Sequence, residues 1–317
     1  MDILDKLVAL AQIRGSIDVQ CSFRGGWHVR HEAKRAQGLA HIVTRGSGYV
    51  KLDGETQARS LKAGDVVFFP RTAAHVLSSE IGCANTQAAP QVSRQGAFTV
   101  KTSGFSGSAE LDLFCARFEY DPQSGLMRGL PDVLALSVDS GALGSLVSLL
   151  QYEAAQNAQG TSAVIDALAL VLLVLTLRTY LQQNEQDAPL TGILNGWRDR
   201  RLRAVVQAVT DAPEREWRVE DMAETAKLSR AQLMRLFRSK METSPHAFLT
   251  AMRLQKAALM LRASQSTVLA VALESGFQSE THFGKAFKKY YGCTPKQYRK
   301  DAALPETAAG GGTEYVI

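Results

Sequence analysis

Residues Glu274 to Pro295 read ESGFQSETHFGKAFKKYYGCTP. Gly276 stands where a turn needs positive φ, Ser279 is placed to cap a helix, and Phe283, Ala286 and Phe287 recur at helical spacing on one face. The opposite face carries Glu280, Thr281, His282, Lys285 and Lys288, and Gly292 ends the helix. The stretch is a tight turn feeding a basic amphipathic helix. About fifty residues earlier the scheme occurs once already, in VEDMAETAKLSRAQLMRLFRSK. There the apolar positions are Met222, Ala223, Ala226, Leu228, Leu233, Leu236 and Phe237, Ser229 is the cap, and the outer face shows Arg230, Ala231, Met234, Arg235 and Arg238. Between the copies, SPHAFLTAMRLQKAALMLRA reads as one helix, about 27 Å long from Pro245 to Arg262 at 1.5 Å per residue. Two helix-turn-helix units on such a rod are spaced to reach successive major grooves of B-DNA, which repeat about every 34 Å. In a groove, long donors reach base edges and basic residues at the flanks take phosphates.

Charge follows the same division. Of the 317 residues, 198–300 hold 20 Lys/Arg against 10 Asp/Glu, whereas 1–197 hold 16 against 18 and 301–317 hold none against 3. A basic module of about a hundred residues attached to a nearly neutral one implies a polyanion partner, with nucleic acid ahead of a membrane surface. Phe277, Phe283, Phe287, Tyr290 and Tyr298 are expected in the core of this module, whereas Lys288, Lys289, Lys296 and Arg299 are either solvated or phosphate contacts.

Upstream, residues 38–120 alternate short apolar runs with turn residues such as Gly46, Gly48, Asp53-Gly54 and Ala63-Gly64-Asp65, the spacing of strands in a sandwich or small barrel. From about Gly141 the period lengthens, and GALGSLVSLLQYEAAQ and SAVIDALALVLLVLTLRTYLQQ read as helices. Asp166 and Arg178 bracket only 11 residues of the second, too few for a bilayer span, so it is expected as a buried or dimer-forming helix. NEQDAPLTG reads as a linker, and LPETAAGGGTEYVI as a disordered tail. No apolar run resembling a signal peptide opens the chain, which predicts a cytoplasmic protein. Cys21, Cys83, Cys115 and Cys293 lie far apart, favouring free thiols, a metal site or a redox switch over structural disulfides.

ALESGFQSETHFGKAFKKYYGCTPKQYR resembles the signature of AraC/XylS-type transcription regulators nearly position for position, over about residues 198–300. By that resemblance Arg230, Ala231, Met234, Arg235 and Arg238 in the first copy, and Glu280, Thr281, His282, Lys285 and Lys288 in the second, would face DNA. Arg235 is the expected specific contact of the first copy, because Ala231 and Met234 offer only apolar touch to a thymine methyl. Cys293 is expected as a buried structural residue at a family position. GDVVFFPRTAAH (Gly64 to His75) resembles the second cupin motif, with Thr72 where that motif commonly has glycine, and HIVTRGSGYV offers only His41 of the first. The paired His and the Glu of a catalytic cupin centre are missing, which argues against an oxygenase or isomerase. The resemblance implies a cupin-like sensory domain, most like those of efflux activators and more distantly of regulators that respond to reactive chlorine.

In that domain His41 and His75 fall where cupins aim side chains inward, Cys115 sits mid-strand, and Cys21 lies in an amino-terminal arm. Two imidazoles with one or two thiolates suit Zn²⁺ or Cu⁺, and a thiolate there is an oxidant target. The opposing expectation is a hydrogen-bonded core histidine and a cysteine acting as a small hydrophobe. His28 and His31 are expected to be exposed, and Cys83 is a candidate oxidisable thiol. The expected fold is α+β in two domains: a cupin-like β-barrel (1–140) with C-terminal dimerisation helices (141–183), a linker (184–196), an all-α domain with two helix-turn-helix units (197–301) and a tail (302–317). The expected function is a homodimeric, cytoplasmic regulator, an activator by family habit, that binds promoter DNA and RNA polymerase without a membrane and needs no cofactor for DNA binding. Two rivals stand beside it: a cupin metalloenzyme fused to a targeting module, and a constitutive DNA-binding protein with a purely structural β domain.

Overall fold

A computed structural model describes residues 2–32, 37–71, 73–81, 91–103, 110–138, 140–156, 158–183 and 189–303. Thr72, Cys83 and nearly all of the tail lie outside them. The described residues form two compact units, 13–120 with 131–183, and 2–12 with 121–130 and 189–303. This division differs from the expected one, which gave all of 1–140 to the barrel. It follows from amphipathic pieces that need a helical surface. The helix Ile3–Ala11 (α1) buries Ile3, Leu7 and Ala11 along one stripe, and Lys6 pairs with Asp211 of the helical unit.

The first unit is built on alternation. Strands β1 (Arg14–Phe23), β3 (Gln37–Leu52), β5 (Asp65–Phe69), β8 (Phe98–Thr102) and β9 (Leu111–Glu119) form the body of a ten-stranded sheet, with β7 (Gln91–Gln95) and β10 (Leu134–Ser137) at the two ends of its order. β3 is 16 residues long and serves twice: its first half pairs with β5 and β9, and its second half with β4 (Arg59–Lys62) and β6 (His75–Ser78). β2 (His28–His31) closes on β6. Register shifts between Val43 and Arg45 in β3 and between Ile17 and Val19 in β1 bend the sheet. The result is a curled, cupin-like sheet around Phe23, Trp27, Val43, Val50, Phe69, Leu77, Leu111 and Leu113.

Two helices follow, α3 (Ser140–Gln156) and α4 (Thr161–Gln183). By length and composition α4 is apolar enough to cross a membrane. Its inner face, Ile165, Ala169, Leu172, Leu173, Leu177 and Tyr180, is buried instead. Ala169 lies so close to β1 that a Cβ at Gly15 would fall 2.9 Å from the alanine's own Cβ.

The second unit is all-α. Besides α1 and the short helix α2 (Gly125–Gly129), it contains α5 (Gly192–Arg198), α6 (Arg203–Asp211), α7 (Val219–Thr225), α8 (Arg230–Met241), α9 (Pro245–Ala263), α10 (Val268–Glu274), α11 (Glu280–Tyr291) and α12 (Pro295–Ala303). α5 begins inside the stretch expected to be linker, because Ile193 and Leu194 bury there. α9 is shared by both heads: Phe248 meets Phe237 of α8 at 5.8 Å between ring centres, while Leu254, Ala257, Ala258 and Leu261 pack with Phe277, Phe283 and Phe287. Each buried phenylalanine contributes about 1.5–3 kcal/mol. Buried Asp121 accepts hydrogen bonds from the Tyr291 and Tyr298 hydroxyls at 3.0 and 3.3 Å, which tie residues 121–130 to the second head.

Candidate DNA-binding face and buried histidine cluster

The two heads repeat in detail. Ser229 and Ser279 cap α8 and α11 through hydrogen bonds to the backbone N–H three residues on, and Gln232 completes a capping box in the first copy. Phe237 and Phe287 hold the inner faces, both fully buried. The turns differ. In the second, Gly276 adopts φ +94, and a Cβ there would lie 2.7 Å from Glu214 Cα. In the first, Lys227 takes the left-handed position at φ 53, so a lysine makes the bend that Gly276 makes in the second.

The inner faces are taken up by packing, and the other face of each helix is exposed. Arg230, Ala231, Met234, Arg235 and Arg238 are all exposed on α8, as are Glu280, Thr281, His282, Lys285 and Lys288 on α11. Arg230 is paired with Glu220 of α7 at 3.3 Å. His282 rests its ring edge on Phe277, 5.6 Å between centres. Cys293, expected to be buried, is partly exposed, lying between the Gly292 stop and the start of α12.

Inside the curled sheet the chain gathers a second set of nitrogens. His31, His41 and His75 are 6, 0 and 0 % exposed, and one ring nitrogen from each lies within 4.8 Å of the others. β2 pairs His31 directly with His75, and β3 pairs His41 directly with Cys115 of β9. The His75 ring is stacked between Phe69 at 4.1 Å and His31 at 4.7 Å. His75 Nδ1 donates to the Ala73 carbonyl at 2.7 Å, so its Nε2 is a lone pair. His41 Nε2 lies 2.8 Å from it and donates, and Cys115 Sγ donates to His41 Nδ1 at 3.3 Å. This assignment gives each contact one proton.

Burial makes the set neutral. It pushes His75 down to about 4 and lowers His31 and His41 as well. Cys115 is held well above the ordinary thiol range by its contact with Cys21 and by burial, against the opposing pull of His41, so it is held as a thiol. The expected four-residue set of Cys21, His41, His75 and Cys115 is therefore rearranged. Three imidazoles face one another, Cys115 stands on the far side of His41, and Cys21 stands next to Cys115. His31, expected to be exposed, belongs to the centre; His28 is half-buried. The signal for His31 was the alternation in HVRH, which puts Val29 and His31 on one face.

Residues 2–182 match the cupin family and residues 222–301 match the helix-turn-helix domain family. The chain is 51% identical to the HTH-type transcriptional regulator MtrA of Neisseria gonorrhoeae, covering 95% of this chain and 99% of that one. It belongs to the AraC family of transcription regulators. An HTH-type regulator of Haemophilus influenzae is 40% identical over 96% of this chain and 100% of its own. The RCS-specific activator RclR of Escherichia coli is 30% identical over 95% of this chain and 98% of its own. This regulator is thus a DNA-binding protein with a cupin-like amino-terminal domain, and the metalloenzyme rival falls. Within the family frame, the exposed faces of α8 and α11 are its candidate DNA face and the imidazole cluster is its candidate sensor.

Proposed function

We propose that this regulator binds promoter duplex by laying α8 and α11 in successive major grooves, and that the buried imidazoles form the sensor that sets this binding. The observation that carries the reading is the repeat itself: two serine-capped helices, each anchored by a buried phenylalanine and each with an exposed outer face, joined by a 19-residue rod of about 28 Å. On this reading Arg235 reads guanine, Ala231 and Met234 touch a thymine methyl, and Thr281, His282 and Lys285 meet bases in the next groove. Arg238 and Lys288 lie nearer the helix ends and take phosphates. Arg230 reaches a phosphate by exchanging Glu220 for it.

For the sensor, the donor set fits a soft or borderline ion. Three neutral imidazoles with no carboxylate among them suit Zn²⁺ or Cu⁺. His31, His41 and His75 would hold the ion, which would supply a Lewis-acidic tie among three strands. For His41 to offer Nε2, its proton moves to Nδ1, where Cys115 Sγ accepts the hydrogen bond. The signal then shifts the population between arrangements that match and mismatch the half-site spacing. Leu149 and Tyr152 on α3 and Val164 and Val171 on α4 are exposed apolar side chains that support a homodimer. Activation through RNA polymerase, in the cytoplasm, completes the reading; the relative RclR is named an activator.

The decisive test is footprinting of full-length protein on its own upstream region, with titrations at several salt concentrations and metal analysis of protein purified without chelator. Protection of two adjacent major grooves, affinity falling steeply with salt, and about one ion per chain that is lost in His31→Ala support it. Absence of protection, or a flat salt dependence, would sink the DNA reading. Equal promoter activity from His31→Ala, His41→Ala and His75→Ala under every metal and oxidant tried would leave the β unit a structural body.

A further inference from the structure

The two heads differ at one corresponding position. Ser229 and Ser279 are both caps, so Arg230 and Glu280 occupy the same first helical position of α8 and α11. Arg230 is neutralised by Glu220 at 3.3 Å. Glu280 is exposed and makes no ion pair among the described residues, although the rest of its helix carries the exposed cations Lys285, Lys288 and Lys289. A carboxylate in the first turn of a helix is favoured by the free N–H groups there. That does not explain the choice, because α8 forms with a cation at the same place.

On a face that approaches phosphates, an unpaired carboxylate costs affinity on every sequence unless a base donates to it. The donors in the major groove are the exocyclic amines of cytosine and adenine. Adenine presents the N7 lone pair beside its amine, which repels the second carboxylate oxygen. Cytosine presents its N4 amine beside a carbon-bound hydrogen, which does not.

We propose that Glu280 is a specificity-determining residue of the second head and reads the N4 amine of one cytosine. This rests on the reading that α11 enters the major groove.

The test is selection of bound duplexes from a random library by the full chain and by Glu280→Ala and Glu280→Gln, followed by titration of the selected duplexes. Wild-type protein is expected to enrich a cytosine at one position of one half-site, and replacing it is expected to weaken binding about five- to a hundredfold. Glu280→Ala is expected to lose that preference alone, to keep every preference of the other half-site, and to bind random duplex as well as or better than wild type. Glu280→Gln is expected to move the preference to adenine, whose N6 and N7 it matches. If Glu280→Ala keeps the cytosine preference, or if all positions weaken together, Glu280 is a helix-end residue and the proposal fails while groove reading stands. If wild-type protein enriches no sequence at all, the groove reading fails and the proposal with it.

Discussion

This regulator gathers nitrogen donors in two places, and they carry opposite chemistry. On α8 and α11 the guanidinium and ammonium groups of Arg235, Arg238, Lys285 and Lys288 stand in solvent. Inside the curled sheet, His31, His41 and His75 are out of water, and burial lowers their affinity for protons. The exposed set offers only N–H donors to solvent, whereas burial leaves lone pairs on the other. The lesson is that donor type is a poor guide to partner until burial is known.

The contrast breaks most visibly with pH. His75 has a folded value of about 4 against an ordinary 6.5. A histidine lowered on folding stabilises the fold above its unfolded value and loses that contribution as pH falls toward the folded one. Between about pH 6.5 and 4, the sheet unit is therefore expected to lose roughly 3 kcal/mol from His75, with further loss from His31 and His41. Denaturant unfolding across this range, followed on Trp27 of the sheet unit, checks it. His75→Gln should flatten the profile; an unchanged profile would mean the imidazoles are not buried neutral.

Metal comes next in size. At a hundredfold excess over its dissociation constant, an ion bound only by the folded form raises stability by about 2.7 kcal/mol. Thermal unfolding with Zn²⁺, and with Cu⁺ under reductant, should show the rise in wild type and not in His31→Ala. A rise that survives His31→Ala would place the ion elsewhere. Truncating an exposed donor acts on DNA instead: Arg235→Ala is expected to cost about 1–3 kcal/mol on the specific duplex and little on random duplex. Equal loss on both would reassign Arg235 to a phosphate. The smallest effect is expected at Arg230, whose exposed pair with Glu220 contributes about 0–1 kcal/mol. Arg230→Ala should leave stability within that range, and a larger fall would show the pair to be structural.

How much of this was legible in the chain depends on distance along it. Caps at Ser229 and Ser279, the stop at Gly292 and the phenylalanines of each inner face act within one or two helical turns, so both heads and their exposed residues could be read from the sequence. The turn chemistry was half legible: Gly276 announced itself, whereas Lys227 sits in a left-handed conformation that lysine does not advertise. His41 and His75 were found through motif positions. His31 was missed because the alternation in HVRH is only four residues long, and what places it beside His75 is the pairing of β2 with β6, 44 residues downstream.

By itself, then, the sequence determined a basic helical repeat with two outward faces and a β-rich partner with inward histidines. Those features are periodic and local. Tertiary structure alone decided that α1 and residues 121–130 join the helical unit, that His31, His41 and His75 face one another, and that Cys115 stands behind His41 as a buried thiol. Each of those depends on which strands pair and which faces exclude water, quantities that no window of neighbouring residues contains.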